Sequence, residues 1–184
     1  MAIDTQAIYE QTLAVRSQLG DEEACRELMR LYSPRLLSFT RKMLAGWPEC
    51  AEDLVQEVWI AIFRGLPSLV DVRKFRPWAF RIARDRVYRE YRRRRLPVQS
   101  VEETDVEAIA GESEADPEMD AAELGRCLDV ISPGHREVLV LRFFEEMDYD
   151  EIARVTNTAL GTVRSRLYYA KRALRRAIEQ KLCL

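Results

Sequence analysis

Histidine is scarce in this chain: among 184 residues, His135 stands alone. The commonest general base and the commonest nitrogen ligand for metals are therefore nearly missing. Cys25, Cys50, Cys127 and Cys183 lie far apart, and no pair has CxxC spacing. No zinc site is expected, and the thiols read as free ones of a reducing compartment. Glycine is sparse, with 7 residues, and none of them builds a phosphate-cradling loop. No nucleophile–base motif is present. These absences exclude an enzyme, a metal protein and a cofactor carrier. No apolar run approaches the roughly 20 residues that span a bilayer. The start, MAIDTQAIYEQ, lacks the basic n-region and apolar core of a signal peptide. The chain reads as cytoplasmic, without membrane insertion.

What the chain does hold is charge, unevenly placed. Residues 1–95 carry 18 Lys and Arg against 13 Asp and Glu. Residues 96–125 carry no cation and 10 acids, and residues 126–184 carry 11 cations against 8 acids. Two basic segments thus flank an acidic one, which the net charge of −2 hides. The stretch 96–120 has few large apolar groups and cannot bury enough to fold alone. It is expected to be a linker, either a simple tether or an anionic strip that lies against the chain's own basic faces or in a channel built for nucleic acid.

The first half reads as helices. Residues 4–18 form one, with Ile8 and Val15 among its apolar positions. Asp21 is placed to cap a second, with Ala24, Leu28 and Leu31 at helical spacing. Ser33-Pro34 has the form of a cap and first turn, which predicts a third start. In ECAEDLVQEVWIAIFRG, Leu54, Val58, Ala61 and Ile62 line one side, while Asp53, Gln56 and Glu57 line the other. Trp59 fits two readings, a partner-docking aromatic or a core residue. No segment of this half keeps a two-residue alternation, so a bundle of four or five helices ending near residue 95 is expected.

That bundle ends in RKFRPWAFRIARDRVYREYRRRR, residues 73–95, with ten arginines and Lys74. Trp78, Ile82 and Val87, beside Ala79 and Ala83, make a buried stripe at helical spacing. Guanidinium groups pair with phosphate, and aromatics stack on unpaired bases. The stretch suits a grip on nucleic acid; a solvated basic helix with core aromatics is the plain alternative.

In the last third, Ser132-Pro133 starts a helix with Val138, Leu141 and Phe144 at helical spacing. Asp148 and Glu151 form a capping box before a short helix. Asn157-Thr158 makes a turn, and a long helix follows from about Ala159 to Leu182. Its buried stripe is Leu160, Val163, Leu167, Ala170, Leu174 and then Ala177 or Ile178. A short helix, a tight turn and a basic second helix predict a helix-turn-helix that enters a major groove. Arg164 can read guanine, Ser165 can bond base or phosphate, and Arg166, Lys171 and Arg172 suit phosphates.

On GDEEACRELMRLYSPRLL, AEDLVQEVWIAIF, FRPWAFRIARDRV and YRRRR, then SPGHREVLVLRFFEEMDYDEIARVTN and LGTVRSRLYYAKRALR, the chain resembles the extracytoplasmic-function group of bacterial sigma factors. The resemblance implies an all-α fold. A region 2 helical domain over 1–95 and a region 4 helix-turn-helix domain over 121–184 would be joined by the acidic linker 96–120. It implies promoter selection for RNA polymerase core, with contacts to its β and β′ subunits, promoter DNA and an anti-sigma factor. Core docking maps onto Asp53, Leu54, Gln56, Glu57 and Trp59. The −10 side maps onto Lys74, Phe75, Trp78, Arg81, Arg84, Asp85, Tyr88 and Arg92. The −35 side maps onto Thr162, Arg164, Ser165, Arg166, Tyr168, Tyr169 and Arg172. Two positions depart from the family's pattern: Asp85, where asparagine is frequent, and Tyr169, where arginine is common. The segment from Arg136 to Leu167 also resembles a LuxR-type output domain, which makes a stand-alone operator-binding regulator the alternative.

Overall fold

The computed structural model describes residues 5–44, 46–94 and 121–182. The acidic stretch 96–120 lies outside the described residues, as do Arg95 and Cys183. Every regular element among the described residues is helical.

The first half contains α1 (Thr5–Gln18), α2 (Glu22–Met43), α3 (Ala51–Gly65) and α4 (Phe75–Arg93). Gly20, at φ +86°, makes the left-handed turn that ends α1. The Asp21 carboxylate then accepts from Glu23 N and Ala24 N at 3.0 and 3.1 Å and starts α2. Ser33-Pro34 starts nothing, contrary to the sequence expectation: α2 runs through it for 22 residues. An interior proline costs about 3 kcal/mol. Leu28, Tyr32, Leu36 and Phe39, all buried on one face of α2, outweigh it at about 1.5–3 kcal/mol each. Ser33 Oγ, freed from capping, accepts from Trp59 Nε1 at 2.9 Å.

α1 also differs from expectation. It buries Leu13, Ala14 and Ser17, whereas Ile8 and Val15 are exposed. α4 buries Phe75, Ala79, Phe80, Ala83, Val87 and Tyr91, while Trp78 and Ile82 are only half-buried. Two edge-to-face ring pairs, Tyr32–Phe75 and Phe39–Phe80, join α2 to α4.

The second half contains α5 (Ala121–Val130), α6 (Pro133–Leu139), α7 (Tyr149–Thr156) and α8 (Leu160–Leu182). α6 continues into a π turn, Val140–Phe144. Its wider spacing breaks the expected stripe: Val138 and Leu141 are buried, but Phe144 turns outward and is 38% exposed. The capping box of α7 is present, and Asn157, in the left-handed region, ends that helix. α8 buries Val163, Leu167, Ala170 and Ala177 against α5, α6 and α7.

The halves pack together. α7 lies against α4, and α2 meets α5, α6 and the π turn.

Candidate functional site

Three surfaces carry the chemistry. On α3, Asp53, Gln56, Glu57 and Ile60 are all exposed at helical spacing. They form one stripe, acidic and polar with a single apolar member. Ile60, seven residues after Asp53, lies squarely on that face. Leu54 and Trp59, assigned to docking by resemblance, are 8% and 4% exposed and belong to the core. Trp59 spends its indole N–H on Ser33 and stacks on Phe63.

The second surface is α4. Lys74, Arg81, Asp85 and Arg92 are exposed, with Trp78 and Tyr88 half-buried between them. Their spacings of four and three residues draw one line along the helix. Arg86 crosses to Glu57 at 3.5 Å and ties this helix to the acidic stripe. Phe75, expected on the stacking side, is 2% exposed and packs in the core. Trp78 rests on Gly65, where an added Cβ would come within 2.9 Å of the indole. Asp71, just upstream, pairs with Arg73 and Lys74 at 2.9 and 3.4 Å, and Arg73 holds its carboxyl down to about 2.

The third surface is the outer side of α8. Arg164 and Arg172 are exposed, and Thr162 is half-buried. Tyr168 and Tyr169 meet edge to face, and the Arg172 guanidinium lies 5.6 Å from the Tyr168 ring centre. Ser165 does not join them: it is buried and donates to Thr162 O at 3.1 Å. Arg166 is half-buried, close enough to His135 and Glu137 to act on both charges.

Sequence reasoning missed a fourth set of residues, which joins the halves. Glu137 of α6 is buried and accepts from Arg84 Nε at 2.6 Å and Tyr88 Oη at 3.2 Å, both on α4. Burial pushes its carboxyl up, against the pull of Arg84 and Tyr88. Burial opposes the charge on Arg84, but Glu137 outweighs it and raises the guanidinium. Glu145, after the π turn, accepts from Arg35 at 3.1 Å, and its backbone carbonyl accepts from Arg76. Arg76 also lies 3.6 Å from Glu151. The buried Arg136 donates to Leu128 O, Asp129 O and Ile131 O at the end of α5, and to Met43 O at the end of α2. One guanidinium thus caps helix ends from both halves. Adjacent charges at Arg136-Glu137, inside an otherwise apolar helix, were the only sequence signal of this contact.

Sigma-70 region 2 matches residues 28–96, and Sigma-70, region 4 matches residues 121–174. RNA polymerase sigma-H factor of Pseudomonas aeruginosa is 30% identical over 186 aligned positions, covering 94% of this chain and 95% of that protein. The chain belongs to the sigma-70 family of RNA polymerase sigma factors. The ECF RNA polymerase sigma-E factor of Escherichia coli K12 is similar at 28% identity, covering 92% of this chain and 94% of the relative. CnrH, solved in complex with the cytosolic domain of CnrY, has the same fold: TM-score 0.70, 22% identity, 94% and 98% of the two chains covered. Sigma factor RpoE of Bartonella quintana, solved with the anti-sigma factor NepR, gives TM-score 0.64 at 24% identity over 84% and 96%. A sigma factor directs RNA polymerase core to promoters and initiates transcription there. Both halves match in the family's order, which favours this function over the LuxR-type alternative. Among the described residues no helix is long and apolar enough to cross a membrane, and no cluster of acids, cysteines and histidine could hold a metal ion.

Proposed function

We propose that residues 1–95 and 121–184 act as two promoter-reading modules on one polymerase, with 96–120 as the anionic link between them. Asp53, Gln56, Glu57 and Ile60 form the core-docking stripe, with Leu54 and Trp59 holding α3 in place from behind. Lys74, Arg81, Arg84 and Arg92 neutralise phosphates of the −10 strand, and Trp78 and Tyr88 stack on its unpaired bases at about 1–3 kcal/mol each. Asp85 accepts from a base amine, having no proton to donate when ionised. Phe75 sets the angle of α4 from the core and does not stack on DNA.

On the other module, Arg164 reads a −35 base edge, worth about 1–3 kcal/mol when bidentate. Thr162, Tyr169 and Arg172 hold the backbone, with Tyr168 under Arg172. Ser165 shapes the start of α8, and Arg166, half-buried beside α6, adds positive charge on the phosphate side. Each module alone binds weakly and with strong salt dependence. Polymerase holds both at a fixed separation, so the second contact becomes intramolecular. The protein works in the cytoplasm and has no catalysis of its own. CnrH and RpoE, which share its fold, are seen bound to CnrY and an anti-sigma factor; the same kind of control suits this chain.

One observation carries this reading: the exposed acidic stripe of α3 lies beside the basic line of α4, bridged by Glu57 and Arg86 at 3.5 Å. Docking at the first therefore delivers the second to DNA. The test is retention on core polymerase by the wild type and by Glu57→Lys. Retention of the first and loss of the second, with loss of promoter-specific transcription, is expected. Equal retention refutes the assignment.

A further inference from the structure

Residues 66–74 connect α3 to α4 and deliver the chain to Lys74, where the basic line of α4 begins. The connection is built rather than loose. Two short 3₁₀ turns, Leu66–Ser68 and Val72–Lys74, both pack against α1. Leu66 is buried, and Leu69 and Val72 are half-buried against the core. Between the turns the backbone is extended at Leu69 and Asp71. The Asp71 carboxylate accepts from Arg73 N at 3.1 Å and starts the second turn. Gln18, in the last turn of α1, donates its side-chain amide to Leu66 O at 2.9 Å and to Leu69 O at 2.8 Å. A side-chain amide has two N–H donors, and both are spent on this one connection. Carbonyls of a connecting segment need partners wherever protein shuts out water, so a side chain that satisfies two of them fixes the path between.

The pinned segment holds out Val70, which is 100% exposed. A lone apolar side chain in water is ordinary on a protein surface. This one follows directly on Leu69, whose carbonyl Gln18 holds, and exposed Arg73 and Lys74 and half-buried Trp78 come next in the chain. Phosphate offers valine nothing, whereas the face of an unpaired base or a thymine methyl does. We infer that Gln18 is a positioning residue for −10 recognition. It acts through Val70, which meets an unpaired base at the Lys74 end of the basic line. This role rests on the reading of α4 as the −10 grip. It brings α1 into promoter reading, although the region 2 match begins only at residue 28. Because the segment is fixed before DNA arrives, little ordering is left to oppose binding.

The experiment reconstitutes core polymerase with full-length wild type, Gln18→Ala, Val70→Ala and the double variant. Each holoenzyme opens promoter fragments in which every base of the −10 element is replaced in turn. Val70→Ala should weaken the preference at one position by roughly fivefold. Gln18→Ala should weaken the same position by a similar factor, and the double variant should lose no more than either single one. Preferences at the other positions, retention on core and the effect of Arg164→Ala should not change. Circular dichroism checks folding; should Gln18→Ala lose helix content, Gln18→Met, which keeps the stem and removes both donors, takes its place. Three results overturn the proposal: Val70→Ala changes no position, the two losses add, or the Gln18 variant slows opening equally on every fragment. The last would mark Gln18 as merely structural. Failure of the underlying −10 reading looks different: Arg81→Ala would then leave promoter melting intact. If Arg81→Ala is defective while Val70→Ala is silent, the role of Gln18 and Val70 alone falls.

Discussion

Glu137 and Arg84 are 53 residues apart in the chain and 2.6 Å apart in space. The Arg84 guanidinium also lies 4.6 Å from the Tyr88 ring centre, and Tyr88 donates its hydroxyl to the same carboxylate. The three side chains act as one unit. Tyr88→Phe keeps the ring beneath Arg84 and removes only the hydroxyl. A hydrogen bond to a charged group is worth about 1.5–3 kcal/mol. Chemical denaturation should register a loss of that size; a change below about 0.5 kcal/mol would mean that Arg84 alone satisfies Glu137.

Acid should tighten the joint before it unfolds the protein. Burial raises the carboxyls of Glu137, faced by Arg84, Tyr88 and Arg166, and of Glu145, faced by Arg35, Arg76 and Lys42. A group whose pKa is raised on closing takes up protons as the halves meet, so closing is favoured as pH falls. Glu27 and Asp71 behave oppositely: Arg30 and Arg73 hold them down to about 2, so their contribution survives below the usual carboxylate range and is lost as pH falls through that value. The radius of gyration should hold or shrink from about pH 8 to about pH 5. Growth across that window contradicts the assignment.

Gly65 is the last residue of α3, and an added methyl would meet Trp78 Cζ2 at 2.9 Å. Alanine at a helix end gains at most about 1 kcal/mol over glycine, while overpacking a rigid ring costs about 1–3 kcal/mol. Gly65→Ala should therefore destabilise the protein slightly and swing the indole outward, read as a shift in tryptophan emission. A stabilised variant with unchanged emission would show that Trp78 does not press on this backbone.

The capping box of α7 gives a cleaner case. Asp148 Oδ1 accepts from Glu151 N at 2.7 Å, and Glu151 Oε2 accepts from Asp148 N at 3.1 Å. Asp148→Ala should cost about 1 kcal/mol, and Asp148→Asn much less. Equal losses in thermal unfolding would mean that charge, not the side-chain acceptor, starts this helix.

The α8 stripe was legible because Val163, Leu167, Ala170 and Ala177 repeat at one period over about four turns. The start of α7 was legible because a capping box is local chemistry. Pro34 misled, since proline reads as a helix start unless a face as apolar as that of Leu28, Tyr32 and Leu36 carries the helix through it. Trp59 and Phe75 were placed on binding surfaces, but their fate depended on Ser33 and Tyr32, partners contributed by another helix. The interlock of Glu137 with Arg84 was invisible for the same reason. Both residues look like solvated charges in sequence, and only the packing of the second half on α2 and α4 brings them together.

The most direct measurement is the set of transcript start sites made by purified core polymerase on a pool of promoter fragments, with and without this protein. New starts should appear with two fixed elements upstream, and Arg164→Ala should weaken dependence on the farther one. If the start sites with the protein match those of core alone, the chain does not select promoters and the account fails.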